Sequence, residues 1–138
     1  MPGLRLAAVT RLLHEAKLPT ADLTEAHLQH FLARGAEDAP DAVVGLELYP
    51  PVALLRSLAV AAPSRGRGLG ANLLSEAERY AKSRDVKEIY LLTTTAERFF
   101  ARSGYERILR DAAPPAIRET QEFSSLCPAS SACMRKRL

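Results

Sequence analysis

The sequence predicts a mixed α/β fold: a meander of strands followed by a βαβ unit, closed by a last strand. Three observations carry this. The run Leu54-Leu55-Arg56-Ser57-Leu58-Ala59-Val60, bounded by Pro50-Pro51 and Pro63, has the length and composition of a buried strand. Past a glycine-rich turn, apolar residues at Leu69, Leu73, Leu74, Ala77, Tyr80 and Ala81 fall on one helical face. The stretch from Val86 to Thr94 is then dense in strand formers and apolar on both faces, as a strand covered on both sides requires. Strand, helix and strand make a crossover, so these two strands are expected to lie parallel as neighbours.

The remaining elements follow in chain order. Leu4, Leu6 and Ala8 alternate with Arg5 and Ala7, which predicts a first strand at a sheet edge. Thr10 is placed to cap a helix carrying Leu12, Leu13, Ala16 and Leu18, ended by Pro19. Thr20 is placed to cap a second short helix through about Leu28. Phe31 to Ala33 begins a strand, and the polar stretch from Gly35 to Asp41 turns it into a second strand, Ala42 to Tyr49. Pro50-Pro51 then turns the chain into the buried strand, which completes a three-strand meander. After Asp85 and the second buried strand, Thr95 is placed to cap a helix from Ala96 to Ser103, with Phe99 and Phe100 inward and Gly104 as its left-handed stop. Tyr105 to Leu109 returns as a strand. Pro114-Pro115 opens a short helical insertion with Ile117, Phe123 and Leu126 apolar, and Ala132 to Leu138 closes the sheet.

At 138 residues the chain is expected to form one domain, residues 1–138, able to bury roughly two-thirds of its unfolded surface. No apolar run approaches the ~18 residues that span a bilayer, so no membrane partner is expected. The net charge of +3 is modest, aromatic content is 6%, and no basic stripe interleaved with stacking rings is visible, which argues against nucleic acid as a partner. Two cysteines, Cys127 and Cys133, make no disulfide framework, and a cytoplasmic location is the default. His27 and His30 stand at i, i+3 and could share a helix face, but no third ligand accompanies them and no metal is expected.

The chemistry concentrates in Arg65-Gly66-Arg67-Gly68-Leu69-Gly70, between the buried strand and the first turn of the helix. Unpaired amides and the positive end of the helix dipole make that position an anion site. Gly66, Gly68 and Gly70 let a ligand approach the backbone closely, and Arg65 and Arg67 add positive charge. No Lys-Ser or Lys-Thr follows, so this is not a Walker phosphate loop, and the spacing is not the dinucleotide fingerprint. Glu47 lies inside a strand, on the face of Gly45 and Tyr49. It is either a solvated or arginine-paired carboxylate, or a group that binds substrate or takes a proton. Arg56, on the next strand, is its natural partner and carries the same two readings.

The loop, following Leu58-Ala59-Val60, resembles the acetyl-CoA pyrophosphate loop of the GCN5-related N-acetyltransferases (GNAT). The segment Ala96-Glu97-Arg98-Phe99-Phe100-Ala101-Arg102-Ser103-Gly104-Tyr105 resembles the second acetyl-CoA motif of that superfamily. More narrowly, Leu54 to Val60, Leu91-Leu92-Thr93-Thr94-Thr95-Ala96, and Thr120-Gln121-Glu122-Phe123 with Leu126-Cys127-Pro128 resemble a small branch named for arsenic-resistance N-acetyltransferases.

The resemblance implies that the pantetheine arm of acetyl-CoA, the co-substrate, inserts like an extra strand. It would be held by the backbone of Leu58, Ala59 and Val60, an amide near Leu58 polarising the thioester carbonyl. Arg65, Arg67 and the amides from Gly66 through Leu69 and Gly70 to Ala71 would take the pyrophosphate, with Thr94 and Phe99 completing the cofactor contacts. The implied reaction is direct acyl transfer to a small-molecule amine, amino-acid-like or organoarsenical, with Glu47 and Arg56 facing that acceptor and a homodimer left open. Glu47 is the expected general base. Many members protonate the departing thiolate with a Tyr where this chain has Phe100. A hydroxyl such as Ser57 or Tyr105, or water, would have to substitute, or the thiolate leaves unprotonated, which a thiol pKa near ~8.5 allows. Phe100 keeps a second reading open, a non-catalytic acyl-CoA-binding module. A third, metalloid sensing through Cys127 and Cys133, lacks a third thiol.

Overall fold

The structure, a computed structural model, describes residues 4–127 and 130–138, and of Ser125 and Leu126 the backbone alone. The expectations placed on the Leu126 side chain and on Pro128 therefore lie outside the described residues. The principal elements are α1 (Leu6–Glu15), a 3-10 turn (Glu25–His30), β1 (Phe31–Ala36), β2 (Ala39–Tyr49), β3 (Val52–Val60), α2 (Leu69–Ser83), β4 (Glu88–Thr93), α3 (Glu97–Arg102), β5 (Glu106–Ile108), α4 (Pro115–Arg118), a π-helical turn (Glu122–Leu126) and β6 (Ala132–Arg137).

The strands form a six-stranded mixed sheet in the order β1-β2-β3-β4-β6-β5. β1, β2 and β3 are the antiparallel meander read from the sequence, and β3–β4 is the parallel pair that the crossover through α2 requires. β6 returns between β4 and β5, antiparallel to both. On one face, α2 and α3 cover the larger core through Leu73, Leu74, Ala77, Ala81 and Phe100, packed on Val44, Leu46, Leu55, Ile89 and Leu91. Complete burial of Leu73 and Leu74 contributes roughly 2 kcal/mol each. On the other face, α1 packs Val9, Leu12 and Leu13 over Phe31 and Val43, while Ile117 and Phe123 cover Leu54, Tyr90 and Cys133. Gly45 makes room for the Phe31 ring: a Cβ there would stand 2.3 Å from Phe31 Cε1.

Three sequence expectations are corrected. Leu4 to Ala8 is not a strand; α1 begins at Leu6 with Arg5 as its N-cap, so Thr10 lies inside the helix. Five alternating residues cannot outweigh the i, i+1, i+4, i+5 face made by Ala8, Val9, Leu12 and Leu13. The second short helix starts after Thr24, not Thr20, because Thr24 and His27 form a reciprocal capping box. Thr95 does not cap α3; its N-cap is Ala96, whose N–H donates to Thr93 Oγ1 at 3.0 Å.

β3 also carries a feature that apolar patterning conceals. The register with β2 slips between Val43 and Gly45, so that Ser57 and Leu58 stand opposite a single residue, and Ser57 takes φ +62°. This bulge inverts the alternation: Leu55, Leu58 and Val60 face the α2 side, whereas Ala59 packs with α1.

Candidate active site

The site follows from a short register. β3 and β4 pair only over Val52–Leu54 and Glu88–Tyr90, yet β2 holds β3 as far as Val60 and β6 holds β4 as far as Thr93. Beyond Leu54 the two strands diverge with one edge each turned to the gap, where their N–H and C=O groups have no strand partner among the described residues. A cavity of about 640 Å³ opens there. One half is walled by Leu58, Ala59, Val60, Arg65, Thr94 and Phe99, and the other by Arg56, Ser57, Glu122, Cys127, Ser131 and the loop from Lys17 to Ala21.

The glycine loop continues past the first half. Gly66 and Gly68 take φ +83° and +78°, and a Cβ on either would meet nothing within 4 Å, so these glycines serve the backbone and leave open space above it. Gly68 is the N-cap of α2, and the first backbone bond there runs from Asn72 N–H to Gly68 O, which leaves the Leu69, Gly70 and Ala71 amides without an i−4 carbonyl. A Cβ on Gly70 would lie 3.6 Å from Phe99 and 3.7 Å from Val60, which places this end of the loop beside the cavity wall. Arg65 Nε donates to Val60 O at 3.0 Å, at the point where β3 ends.

The other half is built on Arg56. Its side chain has no exposure and is held on three sides. Nη1 and Nη2 donate to Asp22 Oδ2 and Oδ1 at 2.5 and 2.7 Å, Nη1 donates to Glu47 Oε2 at 2.8 Å, and Nε donates to Ser57 Oγ at 3.1 Å. Tyr49 Oη donates to Glu47 Oε1 at 2.6 Å, and His27, whose Nδ1 accepts the Thr24 N–H, turns Nε2 toward Glu47 Oε2 at 3.8 Å. Burial alone would raise the Asp22 pKa, but the Arg56 hydrogen bonds and charge, with His27, hold it below its ordinary value. Burial raises the Tyr49 phenol, helped by its bond to Glu47. Asp22, His27 and Glu47 could together offer ligand atoms to a cation, all within 4.8 Å of one another, but Arg56 already supplies the positive charge between the two carboxylates. His30 is turned elsewhere, its Nδ1 2.7 Å from Tyr80 Oη, so His27 and His30 do not act as a pair.

The structure thus brings together Arg56, Ser57, Leu58, Ala59, Val60, Arg65, Thr94 and Phe99 around the cavity, with the loop from Gly66 to Ala71 beside it. It separates two residues expected to do chemistry. Glu47 stands behind Arg56 and is not part of the cavity wall; both its oxygens are engaged. Tyr105 lies behind Phe100 and off the cavity wall, 3% exposed, and its hydroxyl is engaged in donating to Glu78 Oε2 at 3.0 Å. Phe100 does reach the cavity and packs edge-on against Phe99 and Tyr105.

Sequence reasoning missed Asp22, Glu122 and Ser131. Glu122 is 6% exposed on the π-helical turn, and burial pushes its carboxyl up to about 7, partly offset by Arg56. Ser131 is 5% exposed and its Oγ has no hydrogen-bond partner among the described residues. Cys127 joins them on the wall with a thiol that burial pushes up to about 11, while Cys133 lies buried under Phe123. The sequence signals for Glu122 were a carboxylate bracketed by Ile117 and Phe123 in an apolar insertion and its place in the Thr120-Gln121-Glu122-Phe123 string of the narrower resemblance, neither of which assigned it a role.

Comparison with known proteins agrees with this architecture. The sequence model of the Acetyltransferase (GNAT) family matches residues 8–109, most of the chain. An uncharacterised N-acetyltransferase of Chlorobaculum tepidum is 34% identical over 82 residues, 59% of this chain; the matched part is 50% of that relative, so the chain spans about half its length. Among solved structures, N-acetylglutamate synthase from Neisseria gonorrhoeae, complexed with coenzyme A and N-acetyl-glutamate, superposes with a TM-score of 0.79 at 20% identity over 96% of this chain and 32% of its own. A Mycobacterium tuberculosis protein solved with CoA superposes with a TM-score of 0.78 at 18% identity over 98% of this chain and 96% of its own. At these identities the structural likeness speaks for the fold.

Proposed function

This chain belongs to the GNAT family of acetyltransferases, and on that footing we propose that it transfers an acetyl group from acetyl-CoA to the amine of a small molecule by direct attack. The observation that carries the proposal is the splay of β3 from β4, which leaves a walled cavity of about 640 Å³ ending beside open amides at the start of α2. An amide-bearing arm fits two facing strand edges as an added strand would. A diphosphate fits a loop whose glycines leave space above the backbone. Leu58, Ala59 and Val60 would hold the arm, the turn from Gly66 to Ala71 with Arg65 and Arg67 the diphosphate, and Thr94 and Phe99 the opposite side. When bound, the thioester supplies an activated acyl carbon and a stable leaving thiolate. The bulge at Ser57 and Leu58 frees backbone from the regular β2 ladder, and an amide re-aimed there would supply the donor that the developing oxyanion needs.

The acceptor would occupy the half walled by Arg56, Ser57 and Glu122. An amino-acid-like amine is supported by the Neisseria enzyme, whose structure contains N-acetyl-glutamate, and the narrower sequence resemblance adds an organoarsenical amine. Phe100, which has no proton to donate, favours a second reading, a non-catalytic acyl-CoA-binding module.

Calorimetry with acetyl-CoA, followed by thiol release measured across amino acids, polyamines and an aminoalkyl arsenical, tests both readings. Binding with turnover on at least one amine is expected. Binding without turnover on any of them supports the module, and no binding at all removes both.

A further inference from the structure

We propose that Glu122 is the catalytic group that receives the proton of the acceptor's ammonium. The inference rests on the acyl-transfer reading above and deepens it. An amine attacks only as a free base, so a site working near neutral pH needs a proton acceptor within reach of the nitrogen. Glu47, the carboxylate that strand patterning singles out, is off the cavity wall and engaged by Arg56 and Tyr49. Glu122 is on the cavity wall, in the part proposed above to take the acceptor. Its backbone carbonyl takes the Cys127 N–H at 3.0 Å, and Thr120 Oγ1 accepts the Phe123 N–H, so the π-helical turn that presents it is fixed from within. Arg110 Nη2 donates to Phe123 O at 2.7 Å and ties the same turn to the preceding loop. π-helical turns recur at functional sites because they re-aim single side chains.

A second observation points to a polar ligand at this spot. Ser131 Oγ, on the same wall and 95% removed from solvent, has no hydrogen-bond partner among the described residues, and a buried hydroxyl without one is unfavourable unless a ligand or water supplies it. The charged and titratable groups facing Glu122 are Arg56 of β3, Glu47 of β2, Asp22 of the loop before the 3-10 turn, and Cys127 on its own element. Arg56 is already shared between Asp22 and Glu47. Glu122 is therefore a carboxylate whose ionisation burial resists, poised to change state near neutrality.

The step balances. Glu122 carboxylate takes one proton from the ammonium, and the freed lone pair forms the N–C bond. The C–S bond of the thioester breaks with its electron pair on sulfur, the second nitrogen proton neutralises that thiolate, and the proton on Glu122 passes to water.

The test compares wild type, Glu122→Gln, Glu122→Asp and Glu47→Gln. Infrared titration of the carboxyl band reads the group without any turnover: a band that disappears with a midpoint near pH 7 in wild type and is missing in Glu122→Gln is expected. With the best amine of the panel, kcat should rise with pH through that midpoint in wild type, and in Glu47→Gln the rising limb should remain with its midpoint moved to lower pH, because the Glu47 charge helps to raise the Glu122 carboxyl. In Glu122→Gln kcat should fall about 100-fold, with acetyl-CoA affinity kept within about twofold. Glu122→Asp should restore part of kcat and the pH limb. An ordinary carboxylate midpoint, or full turnover in Glu122→Gln, overturns the role of Glu122 while leaving acyl transfer intact. Acetyl-CoA binding with no turnover on any amine overturns acyl transfer, and this role with it.

Discussion

Arg56 shows how a single side chain can organise a site without being free to bind in it. With no exposure and bonds to Asp22, Glu47 and Ser57, it is a buried ion-pair centre. Removing one member of such a group typically destabilises by about 3–5 kcal/mol, because the remaining charges stay buried. Lysine cannot replace the fork that spans both oxygens of Asp22. Glu122 is the opposite case, a carboxyl raised to about 7 by burial. A raised folded-state pKa contributes stability that is fully present below the unfolded value, 4.5, and is lost as pH rises through the folded one. Glu122→Gln should therefore leave stability unchanged near pH 4 and raise it above pH 8, by on the order of 3 kcal/mol. Urea melts of the two proteins across that range check this; a gain equal at both ends would contradict it. Asp22 runs the other way: held below its ordinary value, it supports the fold above that value and loses its contribution in acid.

At the scale of the element, the turn into α2 separates conformation from space. Gly68 needs its glycine for φ +78°, where a β-branched side chain is strained, while the Cβ position itself is open. Gly70 has no such backbone demand, and its Cβ would make ordinary contacts with Phe99 and Val60. Gly68→Val should weaken acetyl-CoA binding at least tenfold and lower Tm by several degrees, through on the order of 1–2 kcal/mol of strain. Gly70→Ala should keep Tm within about two degrees. Calorimetry and thermal melts on the two variants check the pair, and unchanged acetyl-CoA affinity in Gly68→Val would falsify the diphosphate assignment. The turn was legible as a sequence because alternating glycines between a buried strand and an amphipathic helix admit few structures. α1 was only half legible, since Leu6 and Ala8, which open the helix, also satisfy a short strand pattern with Leu4.

At the scale of the molecule, the functional feature is a failure of pairing: β3 and β4 are held by β2 and β6 to their ends but to each other for three residues only. The gap joins three elements distant in sequence, the loop at residues 17–21, the bulged strand and the C-terminal turn. If an acyl-CoA arm completes the sheet there, hydrogen exchange of the Leu58 to Val60 amides should slow on adding acetyl-CoA, by tenfold or more. The β1 amides should not respond. Equal exchange with and without acetyl-CoA would remove strand insertion as the binding mode.

The order of elements from β1 onward, the parallel crossover and the glycine turn into α2 are local or near-local in the chain: they rest on periodicity and on proline and glycine. They were determined by the sequence alone, along with the Arg56–Glu47 partnership, which adjacent strands impose. Tertiary structure alone decided which carboxylate reaches the cavity. Glu47 and Glu122 are separated by the whole βαβ unit, and only the bulge at Ser57, the fork to Asp22 and the packing of the C-terminal turn place one behind the arginine and the other on the wall. Burial, which sets their proton affinities, is a property of the folded surroundings and is not carried by either residue.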